Sequence, residues 1–139
     1  MPTVAAHGIY LDGGDMVLLR EGGVTVAHNP DSNLKLANGI APVQTLLENV
    51  VNVSLGTDGA ASNNNLNLFE EMHLAALLQK LLRRDAETLP ARQVLRMATI
   101  QGAKALGLGD RVGSLEVGKQ ADVVVLDAAR PHLAPRHDP

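Results

Sequence analysis

Short apolar runs alternate with segments of helical spacing along most of this sequence. The runs cover residues 4–6, 24–27 and 51–55, and each one ends at a small or polar residue. Alternation of this kind predicts right-handed βαβ units with parallel strands. The sequence therefore predicts an α/β fold in which the carboxyl ends of the three strands meet along one edge of a sheet.

A titratable residue follows each of the three runs. His7 follows the first run, His28 the second and Asp58 the third. Histidine and aspartate can bind a metal or transfer a proton, and residues just past parallel strands converge at one edge. Taken singly, each has a structural explanation, because Asp before Gly is a common turn pair and a histidine at a strand end can bond to backbone. Their shared placement favours a functional site.

Helices are predicted between and after these strands. The helical segments cover residues 15–21, 43–49, 66–84 and 91–108, whereas residues 29–39 are rich in turn formers and predict a loop. Residues 113–118 predict a turn-rich piece of a hairpin, and residues 121–126 predict a buried strand. The segment from 66 to 84 carries an apolar stripe that predicts its buried face: Leu66, Phe69, Leu74, Leu77, Leu78 and Leu81.

Composition excludes several classes of protein. The chain is 45% apolar, has a formal charge of −3 and contains only two aromatic residues, Tyr10 and Phe69. It is therefore not expected to be disordered or to bind nucleic acid. Five histidines and no cysteine exclude disulfides and thiolate metal sites. Since the sequence shows neither a leader pattern nor an apolar run of membrane-spanning length, we expect a cytoplasmic protein without membrane contact.

Three blocks of the sequence carry a family resemblance. They are AHGIYL at 6–11, VAHNPDSNLKLANGIAPV at 26–43 and VNVSLGTDGAASNNNLNLFEEMHLAALLQK at 51–80. These blocks resemble the C-terminal half of amidohydrolase-superfamily deaminases that act on methylthioadenosine and S-adenosylhomocysteine. Neighbouring groups are the s-triazine hydrolases and guanine deaminases. The stretch GSLEVGKQADVVVLD at 113–127 is similar to the wider superfamily.

The resemblance implies a fold and a division of the chain. Residues 1–107 would form strands six to eight of a (β/α)8 TIM barrel with their helices. Residues 108–139 would be a piece of the small β-sandwich domain followed by an unstructured tail.

The resemblance also implies a metal-dependent reaction. A hydroxide bound to one divalent metal, zinc or else iron, would attack a ring carbon that bears an amino group and release ammonia. Asp58 would bind the metal, take a proton and contact substrate, and His7 would help to position the hydroxide. His28, Ser32 and Asn33 would line the substrate pocket for a purine nucleoside or a related amino-heterocycle.

The sequence departs from the family pattern in its metal ligands. It contains no His-x-His pair and no His-x-x-Glu ahead of His7. We therefore expect a fragment of a deaminase that does not retain the metal and is inactive alone. One alternative is a non-catalytic βα module stabilised by self-association or by a complementing chain. Others are a fragment of an s-triazine or guanine deaminase, and a complete small hydrolase whose metal ligands are His7, His28 and Asp58.

Overall fold

Three short parallel strands form the sheet at the centre of the molecule. A computed structural model describes residues 2–127 and 129–131. Strands β1 (Thr3–Ala6), β2 (Val24–His28) and β3 (Val53–Leu55) lie side by side in the order β1-β2-β3. Both neighbouring pairs are parallel, with Ala5 opposite Val26 and Val26 opposite Val53. The predicted α/β arrangement is confirmed at this level.

Helices connect the strands and cover the sheet. Asp12 caps the first helix, because its carboxylate accepts from the Asp15 N–H while the Asp15 carboxylate accepts from the Asp12 N–H. The helices described are α1 (Gly13–Glu21), α2 (Pro30–Lys35), α3 (Val43–Glu48), α4 (Ala60–Asn63), α5 (Leu68–Arg83), α6 (Ala91–Ala98) and α7 (Ile100–Ala105).

The core lies between the sheet and the helices that follow it. Val26 and Val53 from the sheet, Leu46 from α3 and Met97 from α6 have no exposed surface. Leu89, just ahead of α6, is also buried in this cluster. The core therefore fixes the middle of the sheet and leaves the residues beyond the strand ends to build the site.

The segments predicted between and after the helices differ from the structure in two places. The loop predicted for residues 29–39 contains helix α2, which begins at Pro30 because proline suits the first turn of a helix. The buried strand predicted for residues 121–126 is wrong, since these residues form no strand and Val125 is 89% exposed. A β-branched run becomes a strand only beside a partner strand, and the described residues supply none for it. The turns predicted at 113–118 are present, but the described residues around them form no hairpin.

The face of α5 that packs inward is not the predicted apolar stripe. Glu71, Ala75 and Gln79 are the buried residues of this helix, whereas Leu77 and Leu81 are exposed. The inner face contacts loops whose backbone groups need partners. Gln79, for example, donates to the Ala41 carbonyl at 2.8 Å and accepts from the Gln44 N–H at 3.1 Å. The inward-facing positions of α5 are therefore occupied by the polar residues Glu71 and Gln79 rather than by the leucines of the predicted stripe.

Within residues 2–127 and 129–131, the structure has no helix of sufficient length and hydropathy to span a membrane.

Candidate active site

The carboxyl ends of the three strands bring polar side chains to one edge of the sheet. His7 directly follows β1, His28 is the last residue of β2, and Asp58 lies three residues after β3. The Nε2 atom of His7 lies 3.9 Å from Oδ2 of Asp58. The structure thus brings together two of the residues singled out in the sequence, although they are 51 positions apart along the chain.

Both residues of this pair have a strained backbone. His7 has a φ of 68° and Asp58 a φ of 60°, in the left-handed region that favours glycine. The Gly8 N–H bonds back to the Ala6 carbonyl at 2.9 Å, which closes a tight turn around His7. Such conformations cost about 1–3 kcal/mol each and concentrate at functional sites.

Two serine hydroxyls hold the carboxylate of Asp58. Ser32 at the start of α2 and Ser62 in α4 each donate to Oδ2 at 2.8 Å. These hydrogen bonds, first that of Ser32 and then that of Ser62, lower the pKa of Asp58 below its ordinary value. The carboxylate is therefore ionised at neutral pH and can accept a proton or bind a cation.

Asn33 orients the ring of His7. The Nδ1 atom of His7 lies 2.8 Å from Oδ1 of Asn33, which is nearly buried. Because an amide oxygen only accepts, Nδ1 carries the hydrogen in this bond. The Nε2 atom of a neutral ring is then left as an acceptor on the side of Asp58.

His28 lies beneath this pair rather than at the surface. It has no exposed surface, and neither ring nitrogen has a hydrogen-bond partner among the described residues. Burial, reinforced by the nearby His7, lowers the pKa of His28 to about 4. His28 is therefore neutral at pH 7.

The residues present do not by themselves form a metal site. The described part of the chain contains no group of three His, Cys, Asp or Glu residues placed to hold a metal ion. Catalytic zinc takes three protein ligands in addition to water. The alternative in which His7, His28 and Asp58 are a complete set of metal ligands is therefore wrong.

Several residues near the site were not singled out by sequence reasoning. Ser62 is one, and its position four residues after Asp58 is the only signal that could have pointed to it. Glu71 and Asn63 are two more, because the buried Glu71 accepts from the side chain of Asn63. Nothing in the doublet Glu70–Glu71 distinguishes the buried glutamate from its exposed neighbour.

A cavity of about 540 Å³ lies away from this edge. Its lining includes Val51 and Asn52, which precede β3, together with Pro90 and Gln101. The opposite end of β3 carries Asp58. The cavity is consequently not part of the site formed by His7 and Asp58.

In α/β enzymes, ligands bind beyond the carboxyl ends of the parallel strands, which is where the titratable groups of this chain lie. The sequence profile of the Amidohydrolase family matches residues 1–138. The chain belongs to this family.

Curated relatives in the family carry deaminase names. The chain is 53% identical over 139 residues to the 5-methylthioadenosine/S-adenosylhomocysteine deaminase of Acetivibrio thermocellus, covering 100% of this chain and 32% of the relative. It is 58% identical over 136 residues to the 5'-deoxyadenosine deaminase of Methanosarcina mazei, covering 98% of this chain and 31% of the relative. The chain thus spans about a third of the length of the relatives that it matches.

A solved structure has the same fold over this region. The adenosine deaminase of Xanthomonas campestris, crystallised with bound zinc, superimposes with a TM-score of 0.92 and 48% identity. The match covers 97% of this chain and 31% of that protein.

Proposed function

We propose that this chain supplies part of the active site of a hydrolytic deaminase that acts on an adenosine-type purine nucleoside. The observation that carries the proposal is the 3.9 Å approach of His7 to Asp58 at the carboxyl edge of the sheet. Both residues have a left-handed backbone, and both are held by side chains from the α2 segment. The names of the relatives supply the substrate class, methylthioadenosine, S-adenosylhomocysteine or 5'-deoxyadenosine.

The residues have separate roles in the proposed reaction. Hydrolytic deamination replaces an exocyclic amino group with oxygen from water and releases ammonia. Asp58, ionised at neutral pH, accepts a proton from the attacking water. His7 presents Nε2 to the same water, since Asn33 occupies its Nδ1. His28, Ser32 and Asn33 support the substrate pocket on the β2 side from beneath His7 and Asp58, since none of the three is more than 2% exposed.

We propose zinc as the metal of the complete site. Asp58 would be one ligand, and the other ligands would come from outside the described residues, because these contain no group of three placed to hold a metal. Zinc bound in the Xanthomonas campestris structure supports this choice over iron.

The proposal includes a position within the barrel. We place β1, β2 and β3 as strands six, seven and eight of a (β/α)8 barrel, with residues 1–107 as the barrel part and 108–139 as part of a β-sandwich. The parallel order β1-β2-β3 supports the barrel assignment. A cytoplasmic location stays a prediction from the sequence, and the tail beyond residue 131 lies outside the described residues.

A chimera tests this function. In it, residues 1–139 replace the matching segment of the Acetivibrio thermocellus relative. We expect the zinc-loaded chimera to release ammonia from methylthioadenosine and S-adenosylhomocysteine faster than from guanine or an s-triazine. The Asp58→Asn variant should lose at least 100-fold in turnover, whereas Glu70→Gln, at an exposed position, should retain it. A folded, zinc-loaded chimera without turnover would contradict the proposal.

One observation favours the alternative of a non-catalytic module. The apolar residues Val117, Val124 and Val125 are each at least 79% exposed, which suits self-association or a complementing chain. Ammonia release by the chimera, lost on Asp58→Asn substitution, distinguishes the two functions.

A further inference from the structure

Glu71 is a buried carboxylate for which the proposed reaction has no use. It lies on the inner face of α5 and has no exposed surface. Burial raises its pKa above the ordinary value, because the charged form loses its hydration. A carboxylate at such a position is unfavourable unless protein donors replace the lost water. Its partners therefore show what the position achieves.

The two carboxylate oxygens of Glu71 bind two different segments of the site. Oε2 accepts from the backbone N–H of Asp31 at 3.1 Å, and Oε1 accepts from Nδ2 of Asn63. Asp31 directly precedes Ser32, and Asn63 directly follows Ser62. Each oxygen thus holds the neighbour of a serine that donates to Asp58.

The two partners require a carboxylate rather than a carboxamide. The backbone N–H of Asp31 can only donate. The side chain of Asn63 is fixed in orientation, because its Oδ1 accepts from the Leu66 N–H at 2.7 Å and its Nδ2 must face Glu71. Both partners are donors, so that two acceptor oxygens are needed. A glutamine would satisfy one of them and leave the other unpaired.

We propose that Glu71 is a positioning residue of the active site, which fixes the serines on Asp58 by binding the residue beside each of them. It acts through Asp31 on Ser32 and through Asn63 on Ser62. The role of Asp58 in deamination rests on the proposed function, whereas the placement of the two serines is measured without turnover.

A second, exposed link joins the same two helices and provides a comparison. Lys35 of α2 donates to the Ala61 carbonyl at 2.7 Å and to Oδ1 of Asn64 at 2.5 Å. This link lies at the surface and reaches only one of the two serines, because Ala61 directly precedes Ser62 whereas no residue beside Ser32 accepts from Lys35. Loss of Lys35 should therefore loosen residues 61–64 without changing hydrogen exchange at residues 31–33, whereas loss of Glu71 should affect both segments.

The test compares Glu71→Gln with Glu70→Gln and Lys35→Met in the 139-residue chain. Amide hydrogen exchange is measured at residues 31–33 and 62–63, with Val26 of the central strand as internal reference. The carboxyl ¹³C shift of Asp58 at pH 7 reports the serine hydroxyls directly. We expect Glu71→Gln to accelerate exchange at both segments at least tenfold relative to Val26 and to shift the Asp58 carboxyl signal. Glu70→Gln should leave this signal in place, and Lys35→Met should leave exchange at residues 31–33 unchanged.

Two results would overturn the proposal. One is an Asp58 signal and an exchange pattern in Glu71→Gln that match the unmodified chain. The other is an acceleration that is uniform and includes Val26, since this would indicate global destabilisation only. An inactive chimera in which the unmodified segment keeps its protected exchange pattern would count against the proposed function and not against Glu71.

A second variant covers the case in which Glu71→Gln does not fold. Asn63→Ala removes one of the two links and leaves the bond from Asp31 to Glu71 intact. We expect faster exchange at residue 62, a shifted Asp58 signal and unchanged exchange at residues 31–33. An unmoved Asp58 signal in this variant would also refute the proposal.

Discussion

Two hydroxyl groups on one carboxylate oxygen are the main electrostatic feature of the site at the scale of residues. Ser32 and Ser62 both donate to Oδ2 of Asp58, and together they lower the pKa of this carboxyl group. The ionised form is favoured because each hydroxyl donates more strongly to a charged oxygen than to a neutral one. Asp58 is thereby held as a carboxylate at neutral pH, although it binds a proton more weakly than an ordinary aspartate.

The first prediction concerns the origin of this lowered pKa. Substitution Ser32→Ala removes the largest cause, and Ser62→Ala removes the next. We expect each change to raise the pKa of Asp58 towards its ordinary value, and the double variant to raise it further. A ¹³C NMR titration of the Asp58 carboxyl carbon measures the effect, with Ser114→Ala as a control far along the chain. An unchanged midpoint in the double variant would be the contrary result.

The second prediction concerns His28 and the pH dependence of stability. The folded-state pKa is about 4, against 6.5 for an unperturbed histidine. Between these values the unfolded state binds a proton that the folded state does not, so that stability rises with pH through this window and is complete above it. We expect His28 to account for a loss of about 3 kcal/mol in the free energy of unfolding between pH 7 and pH 4.

Urea denaturation at several pH values measures this loss. In the His28→Gln variant, the free energy of unfolding should no longer show this loss between pH 7 and pH 4. The His73→Gln variant, changed at an exposed position of α5, should still show it. Equal slopes in the His28→Gln variant and the unmodified chain would show that the buried imidazole does not cause the pH dependence.

Sequence reasoning at this scale located His7, His28 and Asp58 because each lies within three residues of the end of an apolar run. It could not locate Ser62 or Glu71. Their importance depends on the path of α4 and α5, which brings residues from later in the chain back to α2. Nor could it distinguish His28, which is buried, from His7, which is partly exposed, because both end strands in the same local pattern.

At the scale of elements, the turn after β1 determines where His7 points. Gly8 continues the left-handed backbone with a φ of 60°, and a Cβ atom there would lie 2.7 Å from Cγ1 of Val26. The glycine thus allows β1 to end directly against β2. A side chain at this position would push the turn, and His7 with it, away from the sheet.

The third prediction uses two glycines with the same backbone conformation. Gly8 and Gly23 both have a φ of 60°, but a Cβ at Gly23 meets no atom within 4 Å. We expect Gly23→Ala to cost about 1–2 kcal/mol from backbone strain alone. Gly8→Ala should cost a further 1–3 kcal/mol or so, because the added methyl group overpacks Val26. Thermal or urea unfolding measures both, and equal costs would argue against the close approach at Gly8.

The elements themselves were predictable where the local signal and the tertiary environment agree. All three strands and helices α1, α3 and α5 fall in the predicted segments, within a few residues, whereas the segment predicted at 91–108 forms two helices, α6 and α7, that meet at Thr99. Helices α2 and α4 were missed because their segments are rich in small and turn-forming residues, which also suit the first turn of a helix. The prediction for the inner face of α5 was wrong, because apolar spacing does not show which backbone groups of neighbouring loops need hydrogen-bond partners from the helix. Glu71 and Gln79 supply these partners.

At the scale of the whole molecule, many large apolar side chains remain exposed outside the core. Strands β1 and β3 are both edges of the sheet, and the outer residues of α5 include the exposed Leu77 and Leu81. Residues 121–126 add a run of β-branched residues without a partner strand among those described. Edges and apolar runs of this kind favour pairing with another chain.

The fourth prediction is that the isolated 139-residue chain associates through residues 121–126. Val123, Val124 and Val125 are between 57% and 89% exposed, and the run contains neither proline nor glycine. Such a segment readily adds to the edge of a second copy, because pairing satisfies its backbone and buries the valines. Substitution Val124→Lys places a charge in the run and should reduce association at least tenfold, as measured by sedimentation velocity across a concentration series. Leu81→Lys on the exposed face of α5 is the matched control. If Leu81→Lys gives the larger reduction, the association surface is α5 and not the valine run.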